Sequence, residues 1–231
     1  MLIAVERVLT SALHASITPE ASAWLTQALA RAGGGTLRPL LDAYARASLK
    51  IGRSMLPIGD AGVRQLRDVA PGIGFERWCQ DDAARTLLLI ARRHQEQAEP
   101  PFIAAAVACC EEGDAGEQQS WLRALALWPE AAAFLPNAID ACRTNIIPVF
   151  ESLACDNPYP AAHFPERNFN QMVLKALFNS IALTRVVGLP SRLNPELSRM
   201  ARDYAAERTA AGRAVPADIG LALHDLAQES S

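Results

Sequence analysis

The sequence predicts an all-α protein, on three observations. Apolar residues recur with helical spacing along nearly the whole chain. Helix starts and stops are written in cap residues, prolines and glycines, as in Thr18-Pro19-Glu20 and Gly33-Gly34-Gly35. No segment alternates apolar and polar residues long enough to make a strand. Helices of about 10–18 residues joined by short connections suit stacked helical hairpins of the HEAT or armadillo kind. A compact multi-helix bundle is the alternative.

The N-terminal stretch, MLIAVERVLTSALHASITPEA, reads as the first helix and not as a secretory leader, because Glu6 and Arg7 sit in its opening turns. Thr18 caps a helix through Arg31, the glycine run ends it, and Thr36 begins the next. Between Gly52 and Phe75 prolines and glycines interrupt the pattern, predicting loops around a short helix from Asp60 to Ala70. Further helices are expected at Asp81–Gln97, Pro101–Glu112, Ala115–Leu127, Glu130–Arg143, Glu166–Val187 and Pro216–Gln228. Asn194-Pro195-Glu196 repeats the start signal before a helix reaching about Gly212. Apolar residues continue through Gly52–Phe75, so it is not read as a domain linker, and the chain is read as a single domain, residues 1–231.

Half of the residues are hydrophobic and a fifth are charged, which excludes wholesale disorder. Net charge is −3 but unevenly spread: Arg31–Arg93 carries eleven basic against six acidic residues, and His94–Glu166 two against eleven. Such polarity suits docking onto a charged partner. It does not suit nucleic acid, which needs a dense basic face with interleaved aromatics. Five cysteines without CxxC spacing argue for a reducing compartment and against a disulfide frame or zinc ribbon. No apolar run reaches the ~18–20 residues that span a bilayer. The reading is of a cytoplasmic protein without a membrane span.

Residue types crowd together in one place, Asp156–Asn179, which reads DNPYPAAHFPERNFNQMVLKALFN. Pro158, Pro160 and Pro165 stiffen a loop that Tyr159 and Phe164 pin by burial, and a pinned loop can aim Asp156 and His163. On the helix that follows, Asn168, Gln171, Lys175 and Asn179 fall within an arc of about 80°. Apolar residues cover most of the remaining circumference, so this polar seam faces either solvent or a polar cleft. Lys175 is one of only two lysines among 22 basic residues, in a chain that otherwise takes arginine for positive charge. As a Schiff-base nucleophile it would need a desolvating pocket that the sequence does not display. Asp156, His163 and Glu166 are possible metal ligands, yet HExxH and HxH spacings are missing, and no metal or cofactor is assigned. Nor is there a GxSxG or a phosphate loop, so no catalytic residue is assigned.

The stretch RTNIIPVFESLACDNPYPAAHFPERNFNQMVLKALFNSIAL resembles the characteristic region of the EboA family, encoded in bacterial ebo gene clusters. The resemblance rests on R-T-N at Arg143–Asn145, D-N-P-Y-P at Asp156–Pro160 and F-N-Q-M-V-L-K-A at Phe169–Ala176, and spans Arg143–Leu183. It implies a metabolite-traffic protein whose genes accompany a UbiA-like prenyltransferase, a TatD-like metal hydrolase and a sugar-phosphate-cyclase-like enzyme. It implies a role in making or moving a secondary metabolite toward the membrane or periplasm, and carries no agreed catalytic residues. The expected partners are therefore the prenyltransferase-like and hydrolase-like proteins, or a small metabolite. The candidate binding residues are Arg143, Asn145, Asp156, Tyr159, His163, Glu166, Asn168, Asn170, Gln171, Lys175 and Asn179. The function expected is that of a non-catalytic helical adaptor. The alternative is an enzyme or small-molecule receptor with its pocket in Asp156–Lys175.

Overall fold

The computed structural model describes residues 1–95 and 101–223. Among these the secondary structure is helical, and the sole β feature is an isolated antiparallel bridge between Met55 and Cys79. The all-α expectation holds. The chain divides into two compact units, Met1–Leu153 and Ala154–Ser231.

The first unit contains α1 (Leu2–His14), α2 (Pro19–Gly33), α3 (Arg38–Ile51), α4 (Asp60–Val69), α5 (Gln80–Arg93), α6 (Phe102–Glu111), α7 (Ala115–Ala124), α8 (Leu135–Ala141) and α9 (Ile147–Ala154), whose last residue opens the second unit. Its core forms around α5, against which α1, α2, α3 and α7 all pack. Convergence on one helix is closer to the bundle alternative than to a stack in which each hairpin meets only its chain neighbours. The sequence of α5 explains this position. Leu87, Leu88, Leu89 and Ile90 are consecutive and all buried, which only a helix with neighbours on several sides can accommodate. Alanines on the facing surfaces, Ala28 and Ala32 on α2 and Ala43 and Ala47 on α3, let those helices approach closely. A second cluster is aromatic: the Trp121 ring meets Phe134 edge-on at 5.4 Å, and Phe102 meets Trp128 at 5.1 Å.

The second unit contains α10 (Tyr159–His163), α11 (Glu166–Phe178) and α12 (Pro195–Ala210), with 3₁₀ turns at Leu183–Arg185, Leu189–Arg192 and Ile219–Ala222. Its core is built from Phe169, Val173, Ala176 and Leu177 of α11 with Leu197 and Ala201 of α12. Among the described residues no helix is long and apolar enough to cross a membrane.

Several expected boundaries move. Thr18 does cap α2, accepting from the Ala21 N–H at 3.2 Å, and Asn194 caps α12, accepting from the Leu197 N–H at 2.8 Å. Thr36 does not open the next helix, which starts at Arg38 with Leu37 as its uncapped neighbour. Glu130–Arg143 is split into a 3₁₀ turn, Ala131–Phe134, and α8. The helix expected at Glu166–Val187 stops at Phe178, because the Asn179 amide folds back onto the Lys175 carbonyl at 2.8 Å and Ser180 turns left-handed at φ 57°. The expected loop before it contains α10, a single helical turn. Pro216–Gln228 shows only the 3₁₀ turn, and residues 224–228, like 96–97 of the expected Asp81–Gln97 helix, lie outside the described residues.

The first turn of α5 carries a buried ionic network. Asp82, 2% exposed, accepts from the Cys79 N–H, from the Ser120 hydroxyl at 2.7 Å, and from Arg123 through both carboxylate oxygens. Arg85, 1% exposed, donates to Asp81 at 2.8 Å, to Ser120 at 3.0 Å and to the Tyr44 carbonyl at 3.1 Å. These bonds join α3, α5 and α7. Removing one partner strands the others in a poorly solvated place, which typically costs about 3–5 kcal/mol. Asp82→Ala is therefore expected to lower unfolding stability by about that amount in a urea melt. An Asp82→Ala loss under 1 kcal/mol would mean that water already screens the site.

Candidate functional site

The candidate residues divide between the units: Arg143 and Asn145 lie in the first, and the other nine in the second. Arg143 is exposed and donates to Asp140 at 2.6 Å, a surface pair three residues apart in sequence. Asn145 is exposed just before α9, where the neighbouring Thr144 hydroxyl accepts from the Ile146 N–H at 3.1 Å.

In the second unit the proline-rich segment is fastened from one side. Asp156 adopts a left-handed backbone, φ 53°, and its carboxylate accepts from the Arg185 Nε and Nη2 at 3.0 and 2.8 Å. The same residue's N–H donates to the Arg185 carbonyl at 2.8 Å. Asn157, buried, folds its side chain onto the Tyr159 N–H at 3.0 Å, an Asx turn that launches α10. Tyr159 is fully buried against the His163 ring, 4.6 Å between centroids, and edge-on to Phe164 at 6.3 Å. That burial pushes the Tyr159 phenol above its ordinary range, so it keeps its proton.

Arg192 completes the fastening. It donates to the Ala161 carbonyl at 2.5 Å and the Phe164 carbonyl at 2.7 Å, and its guanidinium lies 4.6 Å from the centre of the Phe169 ring. These carbonyls belong to the end of α10 and the turn after it, where helix geometry leaves acceptors unsatisfied. One cation thus caps α10 and stacks on α11. Gly188 brings this arm close: it sits at φ 76°, and a Cβ there would lie 2.6 Å from the Ala161 Cβ. Next to Arg192, Asn194 forms a reciprocal amide pair with Asn170, 3.1 and 3.0 Å.

The polar seam on α11 is dispersed by comparison. Gln171 and Asn179 are exposed, Asn168 and Lys175 are half-buried, and Glu166 is exposed in the first turn. Asn170, which lies off the seam, is the amide that is buried. Gln171 borders a cavity of about 350 Å³ between α11 and α12, with Leu174, Phe178, Met200 and Tyr204 as its apolar surface. Phe178 is 57% exposed and packs edge-on to Tyr204 at 4.5 Å. Asp203, Glu207 and Arg199 form the rest of the rim.

Sequence reasoning missed Arg185, Arg192 and Asn194 as partners, and missed the α5 network altogether. The α5 network did leave a signal: Asp81 and Arg85, four residues apart, precede a wholly apolar stretch. Cys79, Asp81 and Asp82 place possible ligand atoms within 4.8 Å of one another. They fit a divalent metal poorly. Arg85 and Arg123 already neutralise the two carboxylates, with Arg53 3.9 Å from Asp81. Burial also pushes the Cys79 thiol up, whereas a ligand thiol must lose its proton.

The Arg192 contacts set an expectation. Arg192→Met removes two charge-assisted bonds to backbone and should lower stability by about 2–4 kcal/mol. Arg192→Lys should recover less than half of that, because one ammonium cannot reproduce the planar fork across two carbonyls. Urea melts of both variants check this; full recovery by lysine would show that charge alone, and not the fork, matters.

A family model described as "Metabolite traffic protein EboA" matches residues 5–223, well beyond the Arg143–Leu183 stretch that carries the sequence resemblance. No curated protein and no solved structure matches the chain. The chain belongs to the EboA family.

Proposed function

We propose that this EboA protein is a non-catalytic adaptor in a secondary-metabolite biosynthesis and export system, working from the cytoplasm through the α11–α12 groove. The family description supplies the traffic role. The observation that carries the rest is how the second unit uses its side chains. Asp156 and Asn170, two of the candidate binding residues, bond to Arg185 and Asn194. The same unit leaves a large aromatic residue, Phe178, exposed beside Met200 and Tyr204. Tying Asp156 and Asn170 into the fold while leaving an apolar groove exposed supports recognition over turnover.

The test is co-purification. Tagged protein expressed with its cluster partners should recover the prenyltransferase-like or hydrolase-like protein. Phe178→Ser should abolish that recovery while shifting Tm by less than about 3 °C, since the side chain is largely exposed already. Robust turnover of a pathway intermediate by the purified chain would contradict the proposal, as would recovery that ignores Phe178→Ser.

A further inference from the structure

In the first unit, between α6, α7, α8 and the start of α9, lies a cavity of about 260 Å³. Drug-sized ligands take pockets of about 300–1,000 Å³, so this one suits a small molecule. Its floor is apolar: Leu122 and Val149 are buried, and Cys110 completes it. Burial pushes the Cys110 thiol up to about 12, with the Glu111 charge adding to it, so the floor carries no charge of its own. The polar wall is Glu111, Gln118, Asn137, Asp140 and Thr144.

Hydrogen bonding fixes which end of each amide on this wall stays open. Gln118 donates through Nε2 to the Cys110 and Gly113 carbonyls at 3.4 and 3.3 Å, and Asn137 donates through Nδ2 to Glu111 at 3.5 Å. Carbonyl and carboxylate oxygens only accept, so neither amide can be turned over. The Gln118 and Asn137 oxygens are therefore the amide ends without a partner among the described residues. Asn137 lies three residues from Asp140 on α8, which puts the Glu111 and Asp140 carboxylates on one side of the wall. Arg143, which does not line the cavity, bonds one oxygen of Asp140 at 2.6 Å. Glu111 forms no ion pair among the described residues, and no basic side chain among them lines the cavity. The wall thus offers acceptors and one uncompensated negative charge.

An ammonium group has three donors and no acceptor, and a hydroxyl adds another donor. An anion would meet Glu111 with no cation to offset it, and a wholly apolar molecule would leave the amide oxygens unpaired. We propose that this cavity binds a small protonated amino alcohol, its ammonium at Glu111, its hydroxyl at the Gln118 and Asn137 oxygens, and its carbon skeleton on Leu122 and Val149. The site is separate from the α11–α12 groove and does not depend on it.

The probes are aminocyclohexanol, cyclohexanediol and hydroxycyclohexanecarboxylate, each substituted at opposite ring positions, so that one skeleton carries three charge states. Ligand-observed NMR titration of the full chain should give aminocyclohexanol a Kd below about 10 mM, at least tenfold tighter than the diol, and no binding of the carboxylate. Glu111→Gln, at an exposed position, should cut the preference for amine over diol to under threefold at an unchanged Tm. Asn137→Ala should weaken amine and diol alike, about fivefold, since it removes an acceptor and no charge. Glu112→Gln neutralises the adjacent carboxylate, which does not line this cavity, and should leave the preference in place. No binding of the amine, equal binding of the three probes, or a preference that survives Glu111→Gln would overturn the inference. Equal loss of preference in Glu112→Gln would also overturn it, by showing general attraction to an acidic protein.

Discussion

A guanidinium set across two backbone carbonyls organises the second unit of this protein. Helix α10 is one turn long, too short to hold itself together, and its C-terminal carbonyls would otherwise need water. Arg192 supplies both bonds from a separate arm of the chain and rests on Phe169 while doing so. The path of the proline-rich segment follows from that contact. Gly188 permits the approach, Asp156 and Arg185 close the other end, and Asn194 with Asn170 ties the arm to α11.

The first unit solves a related problem with the opposite arrangement. There the charges lie inside, at the first turn of α5, and each satisfies another: Asp81 with Arg85, Asp82 with Arg123 and Ser120. A network of this kind contributes less net stability than well-packed apolar residues of equal volume would. It does fix direction, because Arg85 and Asp82 reach the Tyr44 carbonyl on α3 and Ser120 and Arg123 on α7, groups that a shifted register would withdraw. Burial raises the Asp81 carboxyl above its ordinary range, with the neighbouring Asp82 charge adding to it, so Arg85 on Asp81 and Arg123 on Asp82 together keep two adjacent carboxylates tolerable.

Much of the fold was legible because local rules governed it. The Thr18 and Asn194 caps, the glycine stop after α2 and the short helix after Gly59 all rest on interactions within a few residues. The misplaced boundaries have tertiary or side-chain causes. Apolar periodicity continues past Phe178, yet Asn179 and Ser180 end the helix there. The segment Asp156–Asn179 stands out in the sequence by its residue types, but its partners Arg185 and Arg192 sit in short 3₁₀ turns that carry no periodic signal. Helical phase put Asn168, Gln171, Lys175 and Asn179 on one seam, and could not show that Asn170 would find an amide 24 residues away.

Two of the three stretches that carry the family resemblance, Asp156–Pro160 and Phe169–Ala176, hold residues of this frame, and the groove lies on α11, which the frame meets through Phe169 and Asn170. Whether frame or groove acts on the metabolite pathway is decided by one comparison: metabolite export in cells carrying His163→Ala with Lys175→Ala, against cells carrying Phe178→Ser, with each chain's abundance measured alongside. The frame-and-groove account predicts that export persists in the first and is lost in the second at equal abundance. Loss in the first with persistence in the second would contradict it and return the function to Asp156–Lys175.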